Sequence, residues 1–279
     1  MLTPHPDGPE PTFETIRVDV DGDTGSMTLN RPDKLNPLGP VTLTELAVAA
    51  RWFDQQPAVK VVVVAGAGRA FSAGADLAAF ADDADADADA DQESGTGAVA
   101  ARAGADLGRQ MADAVEGMRA ITVARIHGHC VGGAVVLAAA CDLRVAAAST
   151  RFSIPEVALG IPLSWGGVPR LVREVGPAVA KDLILTCRTF AADEARAVGL
   201  LSRVVADDDL DGAVEELVTV LASRSAFTLQ ATKQRVNAIS ESMVGTAGAW
   251  ADADGLVTAR RDPDSRAAAA EYLRGLARG

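Results

Sequence analysis

The 279-residue sequence is poor in aromatic residues, cysteine and positive charge. Aromatic side chains make up only 4% of the chain, so the core must be built from smaller residues, above all the 55 alanines. The three cysteines, at 130, 141 and 187, form neither a disulfide framework nor a zinc-binding pattern. The formal charge of −12 argues against nucleic acid or anionic membranes as partners, because both bind basic surfaces.

The sequence also lacks an apolar run long enough for a transmembrane helix. The longest such run, Val131 to Cys141, is about half of the roughly 20 residues needed to cross a bilayer. The first residues, MLTPHPDGPEP, are acidic and proline-rich, whereas a secretory signal begins with positive charge and continues with an apolar segment. We therefore expect a cytoplasmic protein that does not insert into a membrane.

Strand and helix patterns alternate along the first two thirds of the chain, and this predicts an α/β fold. Asp21-Gly22-Asp23 has the composition of a hairpin turn between two strands. A short strand is also expected around Val204, and an apolar stripe beginning at Leu210 predicts a helix. The other expected elements are strands at 59–64, 121–126 and 142–147, and helices at 41–53, 104–118, 133–141, 225–239, 243–254 and 264–277.

Composition divides the chain into three parts. We predict a disordered leader at 1–12, an α/β core at 13–200 and a helical C-terminal region at 201–279. Within the core, strict alternation of Asp and Ala predicts an acidic mobile loop at 81–95, because this pattern offers nothing to bury and places like charges close together.

Two turns rich in glycine and alanine each join a predicted strand to a predicted helix. They are VVVVAGAGRAFSAGADL and ITVARIHGHCVGGAVVLAAACD, and neither has the spacing of a phosphate loop or a dinucleotide fingerprint. Small residues such as Ala75 and Gly133 leave backbone N–H groups accessible, and a helix starting near Gly133 would point its positive end at the same place. The pattern fits an oxyanion hole, and it also fits glycines that only permit tight turns.

One carboxylate stands in an apolar segment, RFSIPEVALGIPLSWGGVPRL. Glu156 is flanked by Ile154, Val157 and Leu159, so partial burial would raise its pKa toward that of a general base. The alternative is that Glu156 only begins a turn or helix after Pro155.

Together these segments resemble the crotonase family, also called the enoyl-CoA hydratase/isomerase superfamily. The resemblance runs from LNRPDKLNPL through FSAGADL, HGHCVGGAVVLAAACDLRVAAASTRFSIPE and LGIPLSWGGVPRLVREVG to FAADEARAVGLLSRVV. It implies a spiral of β-β-α units, with a C-terminal helical region that assembles homo-trimers or hexamers. It also implies an acyl-CoA substrate whose thioester oxyanion is held by two backbone amides, which match Ala75 and Gly133. Asp76 matches the motif too, and we expect it to cap the turn.

The resemblance favours one activity within the family. Hydratases hold a water molecule with two glutamates, of which Glu156 matches one, while Val136 stands at the other position and offers no hydrogen bond. The chain is therefore more similar to Δ3,Δ2-enoyl-CoA isomerases, which shuttle a proton with one glutamate. Trp165 replaces a small residue of hydratases and is expected to line an apolar acyl pocket with Val136. A hydratase or other crotonase-type lyase, and a non-catalytic acyl-CoA binding protein, are the alternatives.

No cofactor is expected, because coenzyme A enters as part of the substrate. Arg31, Lys34 and Lys233 resemble the family's contacts to coenzyme A, and the alternative is that they are ordinary surface charges. His127 and His129 stand two residues apart without an evident third ligand, so no metal site is expected.

Overall fold

A computed structural model describes residues 11–76 and 95–276 of the chain. The predicted leader and the predicted acidic loop fall almost entirely outside these residues. The strands of the described part are β1 (Ile16–Asp21), β2 (Thr24–Leu29), β3 (Val61–Gly66), β4 (Ile121–Ile126), β5 (His129–Val131), β6 (Leu143–Ala147), β7 (Arg151–Ser153), β8 (Phe190–Ala191) and β9 (Arg203–Val205). The α-helices are α1 (Pro40–Asp54), α2 (Gly95–Glu116), α3 (Gly133–Ala140), α4 (Gly167–Thr186), α5 (Ala192–Ala197), α6 (Leu210–Ala222), α7 (Ala226–Met243), α8 (Asp252–Arg261) and α9 (Pro263–Leu276).

Six strands form the larger sheet, in the order β1-β2-β3-β4-β6-β9. β1 and β2 form the expected antiparallel hairpin, and the other pairs in this sheet are parallel. β3 reads VVVVAG and is largely buried on both faces, as a continuous β-branched run predicts for a central parallel strand. β9 extends this sheet past residue 200, where we predicted the core to end.

A smaller sheet has the order β5-β7-β8. Its strands β5 and β7 follow strands β4 and β6 of the larger sheet along the chain. An isolated bridge between Ser72 and Cys130 joins the loop after β3 to β5. β5 then leads into α3, whose eight residues are all buried. This recurrence of strand, strand and helix confirms the expected α/β fold with a helical C-terminal region.

The helices cover both faces of the larger sheet. The apolar stripe of α6, with Leu210, Val214 and Leu217, packs against Val61 and Val123 on one face. The main core lies on the other face and includes α1, α3 and much of α2 and α4. Packing against the sheet therefore accounts for the periodicity that the sequence showed.

Two predicted helices have different bounds in the structure. α2 begins at Gly95, earlier than the predicted residue 104, and the helix predicted at 243–254 is instead a short 3-10 helix at Ala247–Ala251 followed by α8. α4 is interrupted at Gly176, where a φ of +75° breaks the helix just before Pro177. The last two helices fold back onto the core, where Arg102 of α2 pairs with Asp254 of α8 at 2.9 Å. No helix in the described ranges combines the length and apolar character needed to cross a membrane.

Candidate active site

A cavity of about 790 Å³ lies between the loops that follow β3 and β7 and the last two helices. It contains predicted site residues from three separate segments of the chain, together with C-terminal residues that the sequence analysis did not select. Its lining includes Lys34, Ala73, Gly74, Ala75, Asp76, His129, Gly132, Ser153, Glu156, Leu256, Arg260, Arg266, Tyr272 and Leu273.

The loop that carries Ala75 is held by a buried polar residue. Asn36 is 1% exposed, and its side-chain amide donates to the carbonyl oxygens of Ala67, Ala70 and Phe71 at 2.8 to 3.2 Å. The carbonyl of Asn36 in turn accepts a hydrogen bond from the Ser72 hydroxyl at 2.7 Å. Turn conformations of this kind leave backbone groups that a buried asparagine amide can satisfy. The shape of this loop is therefore fixed before any ligand binds.

The amide of Ala75 is set between two hydrogen bonds to Leu38. The Leu38 amide donates to the Gly74 carbonyl at 2.8 Å, and the Asp76 amide donates to the Leu38 carbonyl at 3.3 Å. Within the described residues, the Ala75 amide itself has no protein acceptor. This unpaired amide therefore belongs to a residue that lines the cavity.

The second turn lies beside the first. Gly132 adopts a φ of +53°, and the amide of Gly133 begins α3, where no earlier helical residue can accept its hydrogen bond. Among the described residues, the Gly133 amide also has no acceptor outside the helix. A side-chain carbon built on Gly74 would lie 3.7 Å from the Gly133 nitrogen, so the two turns are in contact. Two neighbouring unpaired amides are suited to bind one carbonyl oxygen.

Glu156 follows β7 and points toward these turns. The residue is 8% exposed, and its Oε2 is buried without a hydrogen-bond partner among the described residues. A side-chain carbon on Gly132 would lie 2.4 Å from Glu156 Oε1, so only glycine allows the carboxylate this position. Burial raises the pKa of Glu156 to about 7. The carboxyl group is therefore able to take up and release a proton near neutral pH.

Val136 and Trp165 line a smaller pocket beyond Glu156, as the sequence predicted. This pocket of about 30 Å³ also contains Ala75 and Gly133. Val136 is fully buried and Trp165 is 6% exposed. The structure thus brings all five residues of the predicted reaction centre to one place.

The predicted contacts to coenzyme A do not all reach this cavity. Lys34 lines it, whereas Arg31 pairs with the lining residue Asp76 at 3.1 Å. We expected Asp76 to cap its turn. In the structure its carboxylate forms this ion pair with Arg31. Lys233 is only 5% exposed and lies at a different cavity, where its Nζ donates to Asp142 Oδ2 at 2.7 Å. The prediction that Lys233 contacts coenzyme A is therefore corrected, because its ammonium group is buried in a structural ion pair.

The C-terminal helices contribute part of the cavity that sequence reasoning missed. Arg260 comes from α8, and Arg266, Tyr272 and Leu273 come from α9. The spacing of the three α9 residues places them on one helix face, and this spacing is visible in the sequence. The sequence did not show which surface this face covers. The predicted role of residues 201–279 in assembly stays a prediction.

The histidines have different positions. His127 lies within hydrogen-bond distance of the Gly68 carbonyl and of Arg125, which accounts for both ring nitrogens. Burial is the main cause that lowers the pKa of His127. His129 is exposed and lines the cavity.

Comparisons with known proteins identify the family of this chain. A family model described as enoyl-CoA hydratase/isomerase matches residues 21–274. The chain belongs to this family. Among its crotonase-family relatives, a probable enoyl-CoA hydratase of Mycobacterium bovis is 37% identical over 231 residues, which are 83% of this chain and 84% of that protein. The peroxisomal Delta(3,5)-Delta(2,4)-dienoyl-CoA isomerase of Arabidopsis thaliana is 34% identical and is matched over 80% of both chains.

The fold of the crotonase-family enzyme is also similar to solved structures. A Thermobifida fusca protein in complex with CoA superposes with a TM-score of 0.72 and 29% identity, covering 95% of both chains. A relative named as a hydratase and a relative named as an isomerase thus each match 80% or more of this chain. The choice between these activities depends on the side chains of the reaction centre.

Proposed function

We propose that the protein is a Δ3,Δ2-enoyl-CoA isomerase that uses Glu156 as its single acid and base. The observation that carries this proposal is the solitary state of the carboxylate. Glu156 Oε2 is buried without a partner, and Val136 stands where a hydratase would carry a second glutamate. One carboxylate is sufficient to move a proton, but a water molecule held between two carboxylates has no counterpart among these residues.

In the proposed reaction, Glu156 removes a proton from C2 of a 3-enoyl-CoA. The electron pair of that C–H bond forms the C1–C2 double bond of an enolate, and the thioester oxygen takes the negative charge. The electrons then return to form the C2–C3 double bond, while the former C3–C4 double bond accepts the proton from Glu156 at C4. Atoms and charge balance, so the reaction needs no cofactor or water.

Each part of the site has a task in this scheme. The amides of Ala75 and Gly133 would donate to the enolate oxygen, and losing one such donor typically costs about 3 kcal/mol of barrier. A Glu156 pKa of about 7 suits the shuttle, because the group must be a carboxylate in the first step and an acid in the second. The apolar walls at Val136 and Trp165 would keep water from the enolate.

Hydration is the second candidate, because relatives with this fold are named as hydratases. It would require a group other than a second glutamate to activate water. A non-catalytic acyl-CoA binding protein is the third reading. All three bind acyl-CoA, so binding does not separate them.

Turnover of two substrates separates the candidates. We expect native protein to convert 3-butenoyl-CoA into crotonyl-CoA, followed by absorbance of the conjugated thioester, and to hydrate crotonyl-CoA poorly. Glu156→Gln should lower isomerisation by about 10²- to 10⁴-fold, the usual contribution of a general acid–base residue. Glu215→Gln, a matched change on the exposed surface of α6, should leave the rate unchanged. Faster hydration than isomerisation by the native protein would contradict the proposal, and so would full activity of Glu156→Gln.

A second variant tests the role assigned to Val136. Val136→Glu restores the acid that hydratases carry, so we expect it to gain measurable hydration of crotonyl-CoA. Val136→Gln has the same size without the acid and should gain none. Both variants should be compared by circular dichroism with the native protein, because position 136 is fully buried. Equal hydration by the Glu and Gln variants would show that Val136 is not what prevents hydration.

A further inference from the structure

The indole ring of Trp165 is packed between the backbones of two helices. A side-chain carbon built on Gly108 of α2 would lie 2.0 Å from the ring, and one built on Gly133 of α3 would lie 2.1 Å from it. No side chain fits at either position with the ring in place. Two glycines therefore make room for this tryptophan, and one of them is the proposed oxyanion donor.

The backbone of Trp165 is also held in place. The residue has a φ of +63°, which a bulky side chain rarely adopts. The Gly166 amide donates to Asp252 at 2.8 Å, and the carbonyl of Trp165 accepts a hydrogen bond from Arg170 at 3.4 Å. Arg170 is 1% exposed and pairs with Glu116 at 2.6 Å. The ring is thus a fixed wall of the pocket.

This wall leaves little room beyond the carboxylate of Glu156. The smaller pocket, with a volume of about 30 Å³, holds roughly two water-sized groups. Its remaining walls are Val136, Ile161, Leu163, Ser164 and Leu256. The adjoining cavity shares Ala75, Glu156, Ile161 and Leu256 with this pocket, is far larger at about 790 Å³ and includes Lys34.

We propose that Trp165 is a specificity-determining residue that restricts the substrate to short acyl chains. This inference rests on the proposed function, which places the thioester oxygen at the Ala75 and Gly133 amides. The coenzyme A arm then leaves through the large cavity past Lys34, and the acyl tail points into the small pocket. The proposed reaction uses C1 to C4, so two water-sized groups beyond these carbons correspond to acyl chains of up to about six carbons.

Equilibrium binding of saturated acyl-CoAs tests this inference independently of turnover. Saturated chains have no double bond to move, so calorimetry of the full chain reports the pocket alone. We expect native protein to bind butyryl-CoA about tenfold more tightly than octanoyl-CoA. Each buried methylene group raises the binding affinity about fourfold, and a longer chain that finds no space loses this burial. Trp165→Gly should raise octanoyl-CoA affinity about tenfold without improving butyryl-CoA binding. Glycine is chosen because it tolerates a φ of +63°.

Two further variants keep the test decisive. Trp250→Gly removes an exposed tryptophan that stacks on Arg102 outside both cavities, so the preference for butyryl-CoA should persist. Trp165→Phe keeps a smaller ring and should give an intermediate preference if Trp165→Gly does not fold. Octanoyl-CoA binding by native protein as tight as butyryl-CoA binding would overturn the inference. A butyryl preference without isomerisation would contradict the proposed function alone, and no binding of any acyl-CoA would overturn both.

Discussion

Two cavities of this molecule each contain a buried ionisable group, and the surroundings of the two groups are opposite. Lys233, at the cavity beneath α7, donates to Asp142 at 2.7 Å and to the Ala120 carbonyl at 2.9 Å. Glu156, at the proposed reaction centre, has an Oε2 with no partner in the described chain. A paired buried charge is compatible with stability, whereas an unpaired one lowers it. The unpaired group is therefore the one whose presence requires a functional explanation.

The pairing of Lys233 links three elements of the fold. Asp142 also accepts hydrogen bonds from the amide and hydroxyl of Thr122, at 2.7 and 2.9 Å. Asp142 is the residue before β6, and it thereby joins α7 and the start of β4 to this strand. The role of Lys233 is structural in this arrangement, although its sequence context resembled a ligand contact.

Breaking the Lys233 pair should give the largest loss of stability. Lys233→Met leaves the Asp142 carboxylate without its cation, and we expect the free energy of unfolding to fall by about 3 to 5 kcal/mol. Urea denaturation followed by circular dichroism measures this change. Lys181→Met, at an exposed position of α4, is the matched control and should change stability little. Equal stability of the two variants would show that the pair adds nothing to the fold.

Neutralising Glu156 should raise the free energy of unfolding, whereas breaking the Lys233 pair should lower it. Because burial raises its pKa to about 7, the folded protein holds this proton more tightly than the unfolded chain, whose glutamate titrates near 4.5. The stability that this proton contributes is therefore fully present below pH 4.5 and is lost as the pH rises through 7. We expect Glu156→Gln to match native stability at pH 4.5 and to exceed it by about 3 kcal/mol above pH 8. Parallel native and variant profiles across this range would contradict an unpaired carboxylate.

This contrast also shows what the sequence could predict. Ala75, Gly133 and Glu156 were recognisable because each lies in a local segment whose composition suits its role, and the fold brings the three segments together. The contact of Lys233 with coenzyme A was wrongly predicted, because the burial of Lys233 depends on a partner, Asp142, that is distant in sequence. Local pattern identifies a charged residue but does not show whether tertiary structure supplies its counterion.

The same limit applies to the cavity walls. The periodicity of α9 predicts a helix with one consistent face, yet Tyr272 lines the cavity only because the last two helices fold back over the core. Asn36 was likewise not selected, since its three carbonyl partners lie in a loop more than 30 residues away. Long-range packing determines these roles, and a single sequence does not record it.

The smallest expected effect belongs to Lys34, which was predicted by the same resemblance as Lys233 but does line the large cavity. Lys34 is exposed, so a contact with a phosphate of coenzyme A is screened by solvent and salt. Lys34→Met should weaken CoA binding about threefold at low salt, with a smaller change at high salt, and leave stability unchanged. Calorimetry with CoA at two salt concentrations measures this effect. In Lys233→Met, protein that remains folded should bind CoA as the native chain does, because the buried ammonium group lies at the other cavity. Weaker CoA binding by folded Lys233→Met than by Lys34→Met would reverse the roles assigned to these two lysines.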